Sequence, residues 1–201
     1  MKSRLELAEY VGARCCVNLA GSKGKNWSSP DPRNLTPAVY EEIVLTTQKL
    51  VDSVKPKRTT YTIESMPFIY PYSIKSQQKL LRDVDREGFA VHADLCNMIN
   101  SIDIVYDTGK LYRDFYRTFG NQVKSVHAKD ILLDDAITVR ISETIMGTGL
   151  FDQRSQLVEC AKLDPDLPIM LEHLHSEAEY DTASERMRRY AEELGLEFIR
   201  V

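Results

Sequence analysis

The stretch VHADLCNMINS, residues 91–101, ends an apolar run with an imidazole and a carboxylate two positions apart. Side chains alternate along a strand, so on a strand through Phe89, Ala90 and Val91 both His92 and Asp94 face the same side. Three other apolar runs close in a similar way: Glu64 follows YTI, His127 follows KSV, and Glu172 follows IML. One acidic residue at a strand end is most simply a salt-bridge partner or a cap for the next helix. Four such residues at corresponding ends pose a harder problem, because three carboxylates crowded together repel and are expensive to desolvate. A divalent cation removes that difficulty. Carboxylate oxygens with one imidazole form a hard, mixed donor set that suits Mn²⁺ or Mg²⁺, with Zn²⁺ and Co²⁺ as alternatives.

The elements that must position these residues follow from the periodicity. Short, nearly continuous apolar runs at 13–20, 59–64, 89–95, 123–130, 168–174 and 196–201 read as strands covered on both faces. Helical patterns fall between them, at 36–53, 73–87, 101–119, 151–162 and 176–194, with one more at 4–11. Thr36-Pro37 reads as an N-cap followed by proline at the first helical position, and Gly88, Gly120 and Gly195 stand where helices should stop. Alternating strands and helices imply right-handed crossovers and a parallel sheet, either a closed (β/α)8 barrel or an open doubly wound sheet. Gly21-Ser22-Lys23-Gly24 matches neither the dinucleotide nor the P-loop spacing, which removes the main sign of an open nucleotide-binding sheet. The expectation is one α/β domain over 1–201, a TIM (β/α)8-type barrel. Six strands stand where eight are needed, so the barrel is expected to be incomplete at its N-terminus, with about two βα units lying before Met1. In a parallel barrel the four strand-end residues reach the C-terminal rim, where active sites of this fold sit. The segment 136–149 reads as an extra excursion after the fourth strand.

Composition narrows the function classes. The 201 residues are 43% hydrophobic and 28% charged, with a net charge of -4, which speaks against a broad nucleic-acid footprint. No run of about 18 apolar residues is present to span a membrane, and MKSRLELAEY lacks the apolar core of a secretory signal, so the cytoplasm is the expected compartment. Cys15, Cys16, Cys96 and Cys160 show neither metal-ligand spacing nor the density of a disulfide scaffold and read as small buried hydrophobes.

With TIESMP, the D-x-x-N of HADLCNMINS, the H-x-K-D of VHAKDI and a late LEH in hand, the chain resembles the sugar phosphate isomerase/epimerase superfamily with a xylose isomerase-like barrel. The resemblance covers the whole chain, from the third family strand at Ala13 to the eighth at Leu196. It implies that Glu64, Asp94, His127 and Glu172 bind one divalent metal ion, Mn²⁺ in the first place, and that the two glutamates also handle protons. Members often have D-x-x-H where this chain has Asp94-Leu95-Cys96-Asn97; a neutral amide is a poor metal ligand, which weakens the case for a multinuclear site.

The implied function is a metal-dependent isomerase or epimerase of a sugar, sugar phosphate or cyclitol. Coordination of a carbonyl and its neighbouring hydroxyl acidifies the adjacent C–H bond, and Glu64 and Glu172 on opposite sides of the substrate take and return the proton. His92 is placed to hydrogen-bond a substrate hydroxyl or to orient a ligand carboxylate, with a satisfied core histidine as the alternative. Asn97 donates to a sugar hydroxyl, and Lys129 offsets substrate charge or holds an oxygen. Asp130, on the other parity, braces the following loop. By the same alternation His173 points away from the site and His175 lies at the rim. Gly147 and Gly149 supply permitted backbone angles ahead of a helix, and Trp27, in a long loop, is available to stack on a sugar face. Partners are then a small sugar or polyol, with neither nucleic acid nor membrane, and a homo-oligomer is an alternative to the lone chain. Two rival readings remain: a truncated, non-catalytic member of the family, and a nuclease of the apurinic-site type, which needs more imidazole ligands than four histidines supply.

Overall fold

The computed structural model describes residues 1–199 and divides the chain into two compact units, Met1–Met98 with Gln122–Ser125, and Ile99–Asn121 with the remainder from Val126. In the first unit α1 (Lys2–Val11) leads into β1 (Cys15–Asn18), α2 (Pro37–Val54), β2 (Thr60–Ile63), α3 (Ile74–Val84) and β3 (Phe89–Ala93). β1 pairs in parallel with β2, Cys15 opposite Thr60 through Asn18 opposite Ile63, and β2 with β3, Tyr61 opposite Phe89. Helices pack on the sheet through Leu5, Ile43, Val51, Ile63, Leu80, Val84 and Phe89, all less than a tenth exposed. Burial of this kind contributes about 25 cal/mol per Å² of apolar surface removed from water and accounts for most of the unit's cohesion.

The second unit contains α4 (Ile102–Tyr106), α5 (Thr108–Phe119), β5 (Asp130–Leu133), β6 (Ile141–Thr144), α6 (Gln153–Cys160), β7 (Ile169–Leu171) and α7 (Glu177–Glu193). β4 (Val123–Ala128) contributes its first half to one unit and its second half to the other, and Val126, His127 and Ala128 pair in parallel with Ile169, Met170 and Leu171 of β7. The strand order is β1-β2-β3-β4-β7, and β5 and β6 form a separate antiparallel pair. Ala128, Met146, Leu157, Ala183, Met187 and Ala191 make the second unit's core. Among the described residues no helix is long and apolar enough to cross a membrane.

Five of the six expected strands and all of the expected helices are present, with instructive differences. The sixth strand, expected at 196–201, is absent over 196–199, and residues 200 and 201 lie outside the described residues. Leu196 and Phe198 spend their apolar side chains on the cluster around α7, so the apolar run read as a strand serves helix packing. The helix expected over 101–119 breaks at Asp107, where φ -138° and ψ 56° close α4 and the side chain accepts from Lys110 N at the start of α5. The N-cap at Thr36 is as expected, its hydroxyl accepting from Val39 N ahead of Pro37. α3 stops at Asp85, which takes the left-handed conformation (φ 47°) itself; Gly88 is required for another reason, since a Cβ there would meet Pro56 Cγ at 2.7 Å. The expected excursion at 136–149 is the β5–β6 hairpin and its return.

Candidate metal centre

In the first unit the ends of β2 and β3 bring two of the four strand-end positions together. Glu64 directly follows β2, its N–H donating to Asn18 O at 2.9 Å, and it shares with Asp94 a pair of carboxylate oxygens within 4.8 Å of one another. Asp94 is fully buried. After β3 the chain turns through a short 3-10 segment, Cys96–Met98, which places Asn97 over both carboxylates: Nδ2 donates to Asp94 Oδ2 at 2.9 Å and to Glu64 Oε1 at 3.3 Å. The expected substrate contact of Asn97 is therefore accompanied by a role in orienting the two acids. Ser65 anchors the same strand ends through Oγ to Asp94 O at 2.6 Å.

His92 faces the same side as Asp94, fully buried, with Nδ1 2.7 Å from Ser125 Oγ; Ser125 Oγ lies in turn 3.1 Å from Cys15 Sγ. One His92 ring nitrogen lies within 4.8 Å of a Glu64 oxygen. Of the four cysteines read as buried hydrophobes, only Cys160 is buried, against the Tyr116 hydroxyl; Cys15 and Cys16 are half-buried because the helices cover β1 only in part, and Cys96 is half-buried in the 3-10 segment after β3. An open pocket of about 390 Å³ is lined by Val17, Asn18, Leu19, Gly21, Trp27 and Glu64, so the exposed indole of Trp27 shares a cavity with the strand-end glutamate.

In the second unit the ends of β4 and β7 supply the other two positions. His127 Nδ1 lies 3.0 Å and Lys129 Nζ 2.8 Å from Glu172 Oε2. Lys129 is 4% exposed, an ammonium group whose burial requires a counter-charge. Burial alone would push the Glu172 carboxyl up, but hydrogen bonds and charge from His127 and Lys129 hold it down at about 2, against an ordinary 4.5. A carboxyl with a depressed folded-state value stabilises the fold above its unfolded value and loses that contribution as the pH falls toward the folded one. In the metal-free chain the Glu172 contribution is thus complete above about pH 4.5 and fades toward pH 2. Thermal melts from pH 6 to pH 2 should fall more steeply for the wild-type chain than for Glu172→Gln; parallel curves would refute the coupling.

The backbone under these side chains is held from α6. Gln153 Nε2 donates to Lys129 O at 2.8 Å and Gln156 Nε2 to His127 O at 3.4 Å, both glutamines being buried. Asp130 braces the following loop, as its parity suggested: Oδ1 accepts from Ile131 N and Phe151 N, and Oδ2 from Gly147 N and Gly149 N, at 2.8 to 3.0 Å. Gly149 has no alternative there, because a Cβ would lie 2.3 Å from Asp130 Oδ1.

The sequence reading missed Ser125, Gln153, Gln156 and Glu143. Only the two glutamines carried a signal, as amides on an apolar helix face. His173 departs from expectation outright. Strand alternation sends it away from Glu172, yet the chain leaves β7 with His173 at φ 61°, and the turn brings Nε2 to 3.6 Å from Glu172 Oε2. His175 is at the surface, as expected.

Residues 1–196 match the family model of the xylose isomerase-like TIM barrel. Among solved structures, a xylose isomerase domain protein from Planctomyces limnophilus aligns over 96% of this chain and 65% of its own, with TM-score 0.68 and 19% identity. A D-tagatose 3-epimerase-like protein aligns over 96% of this chain and 68% of its own (TM-score 0.72, 16% identity). A xylose isomerase-like TIM barrel protein from Mycobacterium smegmatis, crystallised in complex with magnesium, aligns over 96% and 66% (TM-score 0.66, 14% identity). At these identities the likeness is one of fold, and the chain spans about two thirds of each barrel. No curated protein matches the sequence.

Proposed function

Because the chain belongs to the xylose isomerase-like TIM barrel family, we propose that it is a metal-dependent isomerase or epimerase of a sugar, sugar phosphate or cyclitol. Glu64, Asp94, His127 and Glu172 are the proposed ligands of one divalent cation. The observation that carries the reading is the chemistry of the strand ends: two carboxylates oriented by one amide after β2 and β3, and an imidazole with a carboxylate after β4 and β7. Oxygen donors with a single imidazole fit Mn²⁺ or Mg²⁺, with Co²⁺ and Zn²⁺ as alternatives, and a relative was crystallised with magnesium. When held there, such a cation would polarise a sugar carbonyl and acidify the C–H bond beside it.

The chain's own residues then have separate tasks. Glu64 and Glu172 take and return the proton from opposite sides of the substrate; return to the opposite face epimerises, and return to the neighbouring carbon isomerises. Asn97 keeps Glu64 and Asp94 aligned and offers an amide to a hydroxyl. His92, its ring fixed through Nδ1 by Ser125, presents its far edge to a substrate hydroxyl. Lys129 keeps Glu172 ionised across the working pH range. Trp27 offers its face to the C–H side of a sugar beside Glu64. Solved relatives include D-psicose 3-epimerase crystallised with D-fructose, which supports a free ketose as the first substrate to try.

The test is incorporation of solvent deuterium into ketoses, aldoses and inososes. With Mn²⁺ added, at least one sugar should gain deuterium at a carbon-bound position, and chelation with EDTA should abolish the gain. No incorporation into any sugar would reject the proposal and leave a chain that holds metal or ligand without turnover.

A further inference from the structure

The end of β1 lines two cavities of the first unit. One is the open pocket that Trp27 shares with Glu64. The other, of about 200 Å³, lies against α2, and Asn18, Leu19 and Gly21 line both. The interior of this second cavity is polar and neutral. Asn18 Nδ2 donates to the Tyr61 hydroxyl at 2.7 Å, and Thr46 and Thr47, the latter 2% exposed, line the wall on α2. Its charged lining residues are Lys23 and Glu42, both exposed, and they meet at the rim with Nζ 2.6 Å from Oε2.

Such a cavity offers hydroxyl and amide groups to a polyol and leaves no charge over for an anion. A phosphate dianion taken out of water needs an unmatched cation or several N–H donors. Glu42 already neutralises Lys23. Arg33, nearby on the same loop, is paired with Asp31 at 2.8 Å, and its Nη2 also donates to Lys23 O. The backbone is committed as well: Lys23 N donates to Oδ1 of the fully buried Asn34 and Gly24 N to Ser22 Oγ, both at 2.8 Å. Helix N-termini are common phosphate sites, but α2 starts at Pro37, which has no N–H, and Thr36 Oγ1 accepts from Val39 N. The pocket beside Trp27 adds one charged lining residue, Glu64, which is itself an acid.

We propose that Glu42 is a specificity-determining residue: by neutralising Lys23 at the rim, it makes the cavity take the remaining hydroxyls of an unphosphorylated sugar and turn away the sugar phosphate. The proposal rests on the carbohydrate reading above and narrows its substrate class, with the reacting carbons beside Glu64 and the rest of the sugar against α2. The sign of the rim decides the preference, since removal of the Glu42 charge leaves an ammonium group for a phosphate to pair with. Solvent and salt screen an exposed pair, so a change of roughly fivefold in relative affinity is the expected scale.

The test is titration of the ¹⁵N-labelled chain with Mg²⁺ by D-fructose, D-tagatose and their 6-phosphates, followed at the backbone amides by NMR. Expected are shifts at Gly21, Thr46 and Thr47, and tighter binding of a free sugar than of its phosphate by roughly fivefold or more. Glu42→Gln should move the ratio of the two affinities about fivefold toward the phosphate, and high salt should shrink that movement. Adding Lys23→Met leaves the rim uncharged again and should restore the wild-type ratio. Equal or tighter binding of the phosphate by the wild-type chain, a ratio that Glu42→Gln leaves in place, or shifts that spare Thr46 and Thr47 overturns the role of Glu42. The carbohydrate reading then stands, because a sugar still binds. Absence of binding by all four compounds overturns this proposal, and if no sugar gains deuterium either, the carbohydrate reading falls with it.

Discussion

Glu172→Gln is expected to lower sugar-dependent deuterium incorporation by roughly 10³-fold, within the usual range for removing a positioned proton-transfer group. Glutamine preserves shape and one acceptor oxygen but cannot take a proton or contribute a charge to a cation. The substitution has a second consequence, because it removes a carboxylate from a buried ammonium group 2.8 Å away. Stability should fall by roughly 1–3 kcal/mol, the cost of leaving a buried polar group poorly paired. The two effects separate in the double variant: Lys129→Met added to Glu172→Gln should recover part of the stability, read by urea unfolding, and none of the exchange. Exchange within threefold of wild type in Glu172→Gln would remove this residue from the proton path.

Asp130→Ala should be the most destabilising single change near the site, at roughly 3–5 kcal/mol. Four backbone N–H groups converge on this one carboxylate, and Ile131 and Phe151 are buried where water is a poor replacement. An asparagine at this position would still accept with one oxygen while its amino group faced the remaining donors, so Asp130→Asn should fall between wild type and alanine. Urea unfolding gives the magnitude, and amide hydrogen exchange at Gly147, Gly149 and Phe151 gives the location, with faster exchange expected there than elsewhere in the unit. A loss below about 1 kcal/mol, which is the size of one ordinary net hydrogen bond, would show that the loop finds other partners. Because this loop returns the hairpin that carries Glu143, whose carboxylate lies 2.7 Å from His173 Nδ1, the same variant should loosen the ring of His173.

Much of the architecture was legible in the chain. Apolar runs without alternation announced parallel strands, of which β3 is buried at every position while β1 and β7 are covered only in part, Thr36-Pro37 announced the start of α2, and Glu64, Asp94, His127 and Glu172 stand at strand ends as read. These readings succeed because they depend on local rules: side chains alternate along a strand, parallel strands point their ends the same way, and caps are chosen by residues three apart.

The failures share a cause. The apolar run at Leu196 and Phe198 read as a strand, yet both side chains pack on the cluster around α7, and only a three-dimensional neighbour distinguishes the two uses of an apolar side chain. Ser125 meets His92 across 33 residues, and Gln153 meets the carbonyl of Lys129 across 24. Nothing in their local spacing marks either pair. His173 is the sharpest case: alternation, correct up to Leu171, places its side chain on the far face, but one left-handed backbone angle after β7 reverses the facing and a hairpin glutamate holds the result. The sequence by itself determined the order of elements and which residue types stand at the strand ends, because those are consequences of short-range periodicity. The tertiary structure alone decided which side chains hold them in place, because a hydrogen bond depends on distance and angle between atoms, and sequence separation sets neither.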